Sequence, residues 1–315
     1  MTTSLHFAQI SDIHISVLGD RYDMLSGRSA GFLANILAAL NRLEDLDFVL
    51  FTGDLLDTAQ ETERDRFAQL LSTLTKPYYI IPGNHDRRNP GDTAGLTRRD
   101  FARHFNPQFA GRPPGPEAQA GYWSAAVSPQ VQLIGLDSPR DRDWGGEIDA
   151  AQQVWLENEL AVHAAKLVIL VVHHPFHALA PIDHTPHWTK FVCDNGPEML
   201  ALLDRYPQVK VVLTGHHHQA KVDRLGARLH IACPAVAVYP CAYRTFRLSQ
   251  DGGGAWSLAW QTHFVTDEST RADARRRFLT EWQKVPGNFT PDFVEEYARL
   301  ALGSEEDRAG QAELK

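Results

Sequence analysis

Five times in this chain a short β-forming run ends in a cluster of acid, amide or imidazole side chains, and no other feature restricts the fold as much. Residues 5–10 lead into Ser11-Asp12-Ile13-His14, residues 48–52 into Gly53-Asp54-Leu55-Leu56-Asp57, and residues 78–81 into Pro82-Gly83-Asn84-His85-Asp86. Residues 167–172 lead into His173-His174-Pro175, and residues 209–214 into Gly215-His216-His217-His218. In an open α/β sheet the carboxyl ends of the strands line one crevice, so groups far apart in sequence meet there. Each cluster alone is weak. Asn84, His85 and Asp86 after a glycine also make an ordinary turn sequence, and three adjacent histidines also bind metal adventitiously at a surface. Their repetition at strand ends is what points to one site.

Segments of helical period separate the first three runs. Phe32, Leu33, Ile36, Leu37, Leu40 and Leu43 fall on one stripe at steps of three and four, and a second helix is expected over 62–74. The alternation predicts βαβ units and an α/β fold with helices flanking a sheet. Further strands are expected at 122–127, 131–137, 228–232, 244–248 and 256–262. Asp149 and Gln152 have the spacing of a capping box and open a helix through Trp155, Leu156 and Leu160. Asn195, with Pro197 in the first turn and Glu198 three residues on, opens another. Thr290 and Pro291 open the last, through Leu302. Over 87–121 the periodicity gives way to Arg, Asp, Pro and Gly around a helical piece at 97–105, which predicts a surface excursion acting as a cap. The expected division is one domain over 1–265 and a helical extension over 266–315, whose polar end, 303–315, is expected to be a flexible tail.

Composition narrows the function classes. With 315 residues, 43% of them hydrophobic, the chain has enough apolar material for a large core. Its net charge of −8 argues against duplex nucleic acid as a partner. There is no basic-apolar leader at the amino terminus and no run of about 20 apolar residues, so a cytoplasmic protein without a membrane span is expected. Cys193, Cys233 and Cys241 are few, odd in number and widely spaced, which reads as reduced thiols rather than a disulfide framework.

Asp12 and His14 are one residue apart, and in extended chain that spacing turns both side chains to one side. Gly53 permits a tight turn from which Asp54 projects. A donor set of carboxylate, imidazole and amide suits Mn, Fe, Zn or Ni rather than Ca or Mg, which favour all-oxygen shells.

In this order the clusters read D-x-H, G-D-x-x-D, G-N-H-D, H and G-H-x-H, and the series resembles the calcineurin-like metallophosphoesterase superfamily over about residues 5–262. The Asn84-His85-Asp86 form, the His173-His174-Pro175 form and the helix with Trp155-Leu156-Glu157 are similar to the bacterial class III cyclic-nucleotide phosphodiesterases and related glycerophosphodiesterases. That resemblance implies a four-layer α/β/β/α sandwich of two mixed β-sheets flanked by helices. It implies two transition-metal ions, Mn, Fe or Zn: one held by Asp12, His14, Asp54 and His218, the other by Asp54, Asn84, His173 and His216, with Asp54 as the bridge. It places His85 as the catalytic histidine that contacts phosphate with Asn84 and assists the leaving alkoxide. Asp57 and Asp86 then orient ligand histidines, or serve as a helix cap and a turn residue. His217 is expected on the substrate side of the site or as an exposed imidazole. Arg87, Arg88, Arg98, Arg99 and His104 read as a solvated basic face or a second phosphate clamp, and Trp188, Tyr239 and Tyr243 as core or subunit-contact aromatics rather than base-stacking ones. The implied function is hydrolysis of a small phosphodiester, first a 3′,5′-cyclic nucleotide such as cAMP, then a glycerophosphodiester. A phosphomonoesterase and a non-catalytic scaffold remain as alternatives, and a homo-oligomer is compatible with the sequence.

Overall fold

The computed structural model describes residues 4–88, 94–105, 121–287 and 289–314. Strands run in the order β1 (Ser4–Ile10), β2 (Phe48–Thr52), β3 (Tyr78–Ile81), β4 (Trp123–Ala126), β5 (Val131–Gly135), β6 (Leu167–Val171), β7 (Val209–Thr214), β8 (Lys221–Leu225), β9 (Arg228–Ala232), β10 (Ala242–Gln250), β11 (Trp256–Phe264) and β12 (Ala309–Leu314). The helices are α1 (Ser26–Asn41), α2 (Glu61–Leu71), α3 (Arg98–Phe105), α4 (Ala150–Val162), α5 (Gly196–Asp204), α6 (Glu268–Trp282), α7 (Pro291–Leu302) and α8 (Glu305–Arg308).

Two mixed six-stranded sheets result, ordered β12-β11-β10-β1-β2-β3 and β4-β5-β6-β7-β9-β8. Strands β1, β2 and β3 are parallel, as are β5, β6, β7 and β9, so both sheets send several carboxyl ends the same way. Alternation along each strand sets the layering. Phe7, Phe48, Leu50 and Phe246 of the first sheet meet Leu133, Ile169, Val171, Leu213 and Ile231 of the second in one buried core. The opposite face of the first sheet, through Ala8, Ile10, Val49, Phe51 and Ile80, packs on Leu33, Ile36, Leu37 and Leu40 of α1 and Phe67 of α2. The outer face of the second, through Ile134, Val168, Leu170 and Val212, packs on Leu156 and Leu160 of α4 and Met199 and Leu203 of α5. This is the expected α/β/β/α sandwich of two mixed sheets.

Four local expectations are corrected. Asp149 does cap α4 by accepting from the Gln152 backbone N–H, but the Gln152 side chain does not reciprocate; it brackets the Asp137 backbone instead. Asn195 precedes α5 without capping it, because its side chain holds the Ile148 N–H and C=O. Strand β8, too charged to be read from its sequence, pairs with β9 at the sheet edge. Of the 87–121 excursion, the described part is packed rather than purely superficial: Leu96, Phe101 and Phe105 enter the core beside Phe67. Its remainder lies outside the described residues. Of the basic residues weighed there, Arg87 is buried on Asp137, Arg98 bridges Asp137 and Asp149, and Arg88 meets Asp141, whereas Arg99 and His104 are exposed as a solvated face would have them.

The largest correction is at the carboxyl end. The residues expected to be a flexible tail form α8 and β12, which extends the first sheet by antiparallel pairing from Trp256↔Leu314 to Gln261↔Ala309. Asp307 takes the Val222 N–H, its carbonyl receives the buried Arg244, and Leu314 is buried. Helices α6 and α7 pack Phe278, Tyr297 and Ala301 on Met24, Ile182 and Val238, so they close the carboxyl-end face of the molecule. Removing residues 304–315 is expected to cost at least about 3 kcal/mol, from several ladder bonds at about 1 kcal/mol each and lost apolar burial. A urea midpoint unchanged by the truncation would show the strand to be dispensable.

All three cysteines are buried and free. Among the described residues no helix is long and apolar enough to cross a membrane. His230 on β9 is buried with both ring nitrogens unpartnered, and burial, with the nearby His177 and Arg228 charges, pushes it down to about 3 against the opposing Asp223 carboxylate. Its folded value is depressed, so the unfolded chain takes up the proton first, and stability present above pH 6.5 is lost as pH falls towards 3. At pH 5 the loss is about 2 kcal/mol. Relative to His230→Leu, the wild type is expected to lose that much between pH 8 and pH 5 in denaturant titrations; parallel losses would show that His230 protonates freely when folded.

Candidate metal centre

The five strand-end clusters meet at one end of the sandwich. Asp12 and His14 follow β1, Asp54 follows β2, Asn84 and His85 follow β3, His173 follows β6, and His216 and His218 follow β7. Asp12, His14, Asp54 and His218 form one donor group and Asp54, His173 and His216 another, with ligand atoms in each group within 4.8 Å of one another. Asp54 belongs to both. Asn84 stands beside them: the N–H of its neighbour His85 donates to Asp54 Oδ1 at 2.7 Å, and Asn84 Oδ1 is buried without a hydrogen-bond partner.

The backbone that presents these groups is not the extended chain read from the sequence. Asp12 (φ 54°), His14 (46°), Asp54 (52°), His216 (64°) and His218 (59°) are all left-handed. Non-glycine residues there cost on the order of 1 kcal/mol or more each, and such strain gathers at functional sites. Asp12 and His14 share the site because each turns back from its strand and is tied to the next one, Asp12 N–H to the Gly53 carbonyl and His14 N–H to the Asp54 carbonyl. Close approach also explains two glycines. A Cβ on Gly83 would overlap Asp54, and one on Gly215 would overlap Ser11.

Hydrogen bonds fix which ring nitrogen each histidine turns inward. His173 Nδ1 donates to the Thr52 carbonyl at 2.7 Å, leaving Nε2 buried, unpartnered and 3.3 Å from Asp54 Oδ2. His216 donates through Nε2 to the Lys190 carbonyl at 3.3 Å, which frees Nδ1. His14 Nε2 and His218 Nε2 face each other at 3.4 Å, the latter 3.4 Å from Asp12 Oδ1. Burial, helped by His85, holds His14 well below the usual imidazole range, and burial with His174 and His173 does the same to His216. For His173 burial is outweighed by Asp54 and Asp12, which raise it to about 9. The Asp54 carboxyl stays well below its usual range despite burial, because His173, His85 and His14 surround it. A buried pair of carboxylates with inward nitrogens and an amide oxygen left unpartnered fits cations held by the two donor groups that share Asp54. Imidazole among the donors suits transition metals over Ca or Mg.

His85 is one of the two open rings at the centre. Nδ1 is 2.7 Å from the Asp57 carbonyl, which directs Nε2 to the opening, and 27% of the side chain is exposed. Asp57 therefore positions His85 through its carbonyl, while its carboxylate is held by Arg21 at 3.0 Å, a partner that sequence reading missed. Asp86 orients no histidine. It accepts the N–H groups of Leu55, Leu56 and Gly83 and so ties the second and third motifs together; burial and the Asp54 charge push it up to about 7. His174 is a buried neutral ring between Ser138 and the Trp144 carbonyl, pushed down to about 3 by burial and His173. His217 is not open to a substrate: it is buried, 2.6 Å from Asp183 Oδ1 and stacked on Phe191. Beyond it an aromatic row runs from His216 through Trp144, Trp188 and Trp282 to the C-terminal helices. Of the aromatics weighed from sequence, Tyr239 and Tyr243 are core residues, and Trp188 belongs to this row.

A two-sheet α/β/β/α sandwich with paired donor groups sharing one carboxylate at its strand ends defines a metal-dependent phosphoesterase. The model of the calcineurin-like phosphoesterases matches residues 5–220, and the chain belongs to that family. It is 31% identical over 223 residues to a 3′,5′-cyclic-nucleotide phosphodiesterase of Nostoc, covering 68% of this chain and 72% of the relative. A probable glycerophosphodiester phosphodiesterase of Arcobacter nitrofigilis is 31% identical over 67% of this chain and 71% of its own. The 3′,5′-cyclic adenosine monophosphate phosphodiesterase of Escherichia coli K12 is 26% identical over 84% of this chain and 91% of its own. In structure, a dimetal phosphatase of Danio rerio shares the fold with a TM-score of 0.68 at 15% identity, over 84% of this chain and 97% of that one.

Proposed function

We propose that the protein is a cytoplasmic phosphodiesterase that hydrolyses small phosphodiesters, with 3′,5′-cyclic nucleotides such as cAMP as its substrate class. The observation that carries this reading is the pair of donor groups joined by Asp54 with the open His85 ring beside them. We assign one ion to Asp12, His14, Asp54 and His218 and the other to Asp54, Asn84, His173 and His216, with Mn, Fe or Zn as the metals. Bound there, the ions would provide a hydroxide nucleophile near neutral pH and offset charge on the phosphoryl oxygens.

The chain's own residues do the rest. Asp54 sets the spacing of the two donor groups, and the Thr52 and Lys190 carbonyls keep His173 and His216 in the tautomers that face inward. His85, tethered to Asp57, directs Nε2 at the phosphate ester and donates to the departing alkoxide. His217 acts as a positioning residue, because its bond to Asp183 holds the loop that carries His216 and His218. Cyclic nucleotides come first because that activity names several of the relatives, including one that matches 84% of this chain. Glycerophosphodiesters are the second reading, supported by relatives that are 31% and 27% identical.

Turnover of cAMP, glycerophosphoethanolamine, bis(p-nitrophenyl) phosphate and p-nitrophenyl phosphate with Mn, Fe and Zn separates these readings. The diesters are expected to exceed the monoester in kcat/KM by at least about tenfold, with cAMP ahead of the glycerophosphodiester. A monoester preference would refute the diester reading, and a chain retaining no transition metal would be a scaffold.

A further inference from the structure

Three of the six large hydrophobic residues exposed among the described residues, Val17, Leu18 and Tyr22, lie on the single loop that leaves His14. Three exposed apolar side chains within six residues of one loop invite a ligand that covers them. This loop is also fastened at three points. Arg21 donates to Asp57 at 3.0 Å, the same residue whose carbonyl tethers His85. Trp282 of α6 donates its indole N–H to Asp23 at 2.9 Å, and Arg277 of α6 donates to the Tyr22 carbonyl. Tyr22 itself is left-handed, with φ 49°, and Arg21 lies 5.5 Å from its ring centroid on one side.

A loose surface loop would not hold a tyrosine in a strained conformation between the catalytic histidine's tether and a C-terminal helix, with 64% of the residue left open. We propose that Tyr22 is a specificity-determining residue whose ring packs on the planar organic group of the phosphodiester while the phosphate sits at the metal centre. Leu18 and Val17 extend the apolar face, and α6 acts as the brace that sets its angle. The inference rests on the phosphodiesterase reading and names what part of the substrate the loop reads. Arg21 behind the ring favours a planar, electron-rich group such as a nucleobase over a glycerol or an ethanolamine.

The test compares wild type, Tyr22→Ala and Tyr22→Phe on cAMP and on ring-free glycerophosphoethanolamine. Tyr22→Ala is expected to raise KM for cAMP about tenfold, from the loss of one stacking contact, with kcat within about twofold. Tyr22→Phe restores the wild-type KM, and KM for the ring-free diester moves less than about twofold in either variant. An equal KM rise on both substrates, or none on cAMP, overturns the proposal. A wild type that turns over only glycerophosphodiesters refutes the cyclic-nucleotide reading alone; bis(p-nitrophenyl) phosphate then serves as the ring-bearing diester, and the same KM contrast decides the role of Tyr22. Light scattering on Val17→Ser/Leu18→Ser covers the other occupant. If that variant changes the oligomeric state of the protein while Tyr22→Ala leaves KM alone, the patch joins copies of the chain and the proposal fails.

Discussion

Asp54→Asn is expected to lower bound transition metal from about two equivalents to about one or fewer and to reduce turnover by about 10³-fold or more. Both donor groups share this carboxylate, and His173 Nε2, 3.3 Å away, has no other partner. Without the charge, the inward nitrogens of two groups are left around a neutral amide, and the second cation loses the anion that offsets it. Asparagine is the informative replacement because it tolerates the left-handed φ of 52° at this position, whereas alanine adds a backbone penalty of its own. The measurement is metal analysis after desalting, with kcat/KM on a diester and circular dichroism to confirm the fold. Two retained equivalents with undiminished turnover would remove Asp54 from the bridging role.

His85→Ala should separate binding of metal from chemistry. The ring belongs to neither of the two donor groups that share Asp54, and its Nδ1 is committed to the Asp57 carbonyl. Turnover is expected to fall about 10²- to 10⁴-fold, the usual worth of a positioned proton donor, while metal content stays near the wild-type level. The lost factor should be smaller for bis(p-nitrophenyl) phosphate, whose good leaving group needs little protonation, than for a diester with an alkyl leaving group. Equal losses on the two would assign His85 to phosphate binding rather than to the departing oxygen.

The strands that carry the site were legible because their apolar runs and terminal polar clusters are local signals. Phe48–Thr52, Tyr78–Ile81, Val209–Thr214 and Arg228–Ala232 were placed to the residue. What failed was whatever depends on partners remote in sequence. Residues 303–315 look like a solvated tail, yet β12 forms because β11 offers an open edge and Arg244 and Val222 need the acceptors that Asp307 supplies. His217 has the sequence neighbourhood of a substrate residue, and only the fold puts Asp183 against it. Arg21 carried no signal at all, since nothing local to it announces Asp57.

From its sequence alone the chain determined its fold class and the acid, amide and imidazole clusters at its strand ends, because strand periodicity and the chemical type of a side chain are properties of short segments. Tertiary structure alone decided how those donors face the site. The extended-chain argument for Asp12 and His14 was replaced by left-handed turns pinned to the neighbouring strand, and ring tautomers were set by the carbonyls of Thr52, Asp57 and Lys190. Strained dihedrals and directed imidazoles persist only where packing from several elements over-determines them, so no single segment encodes them.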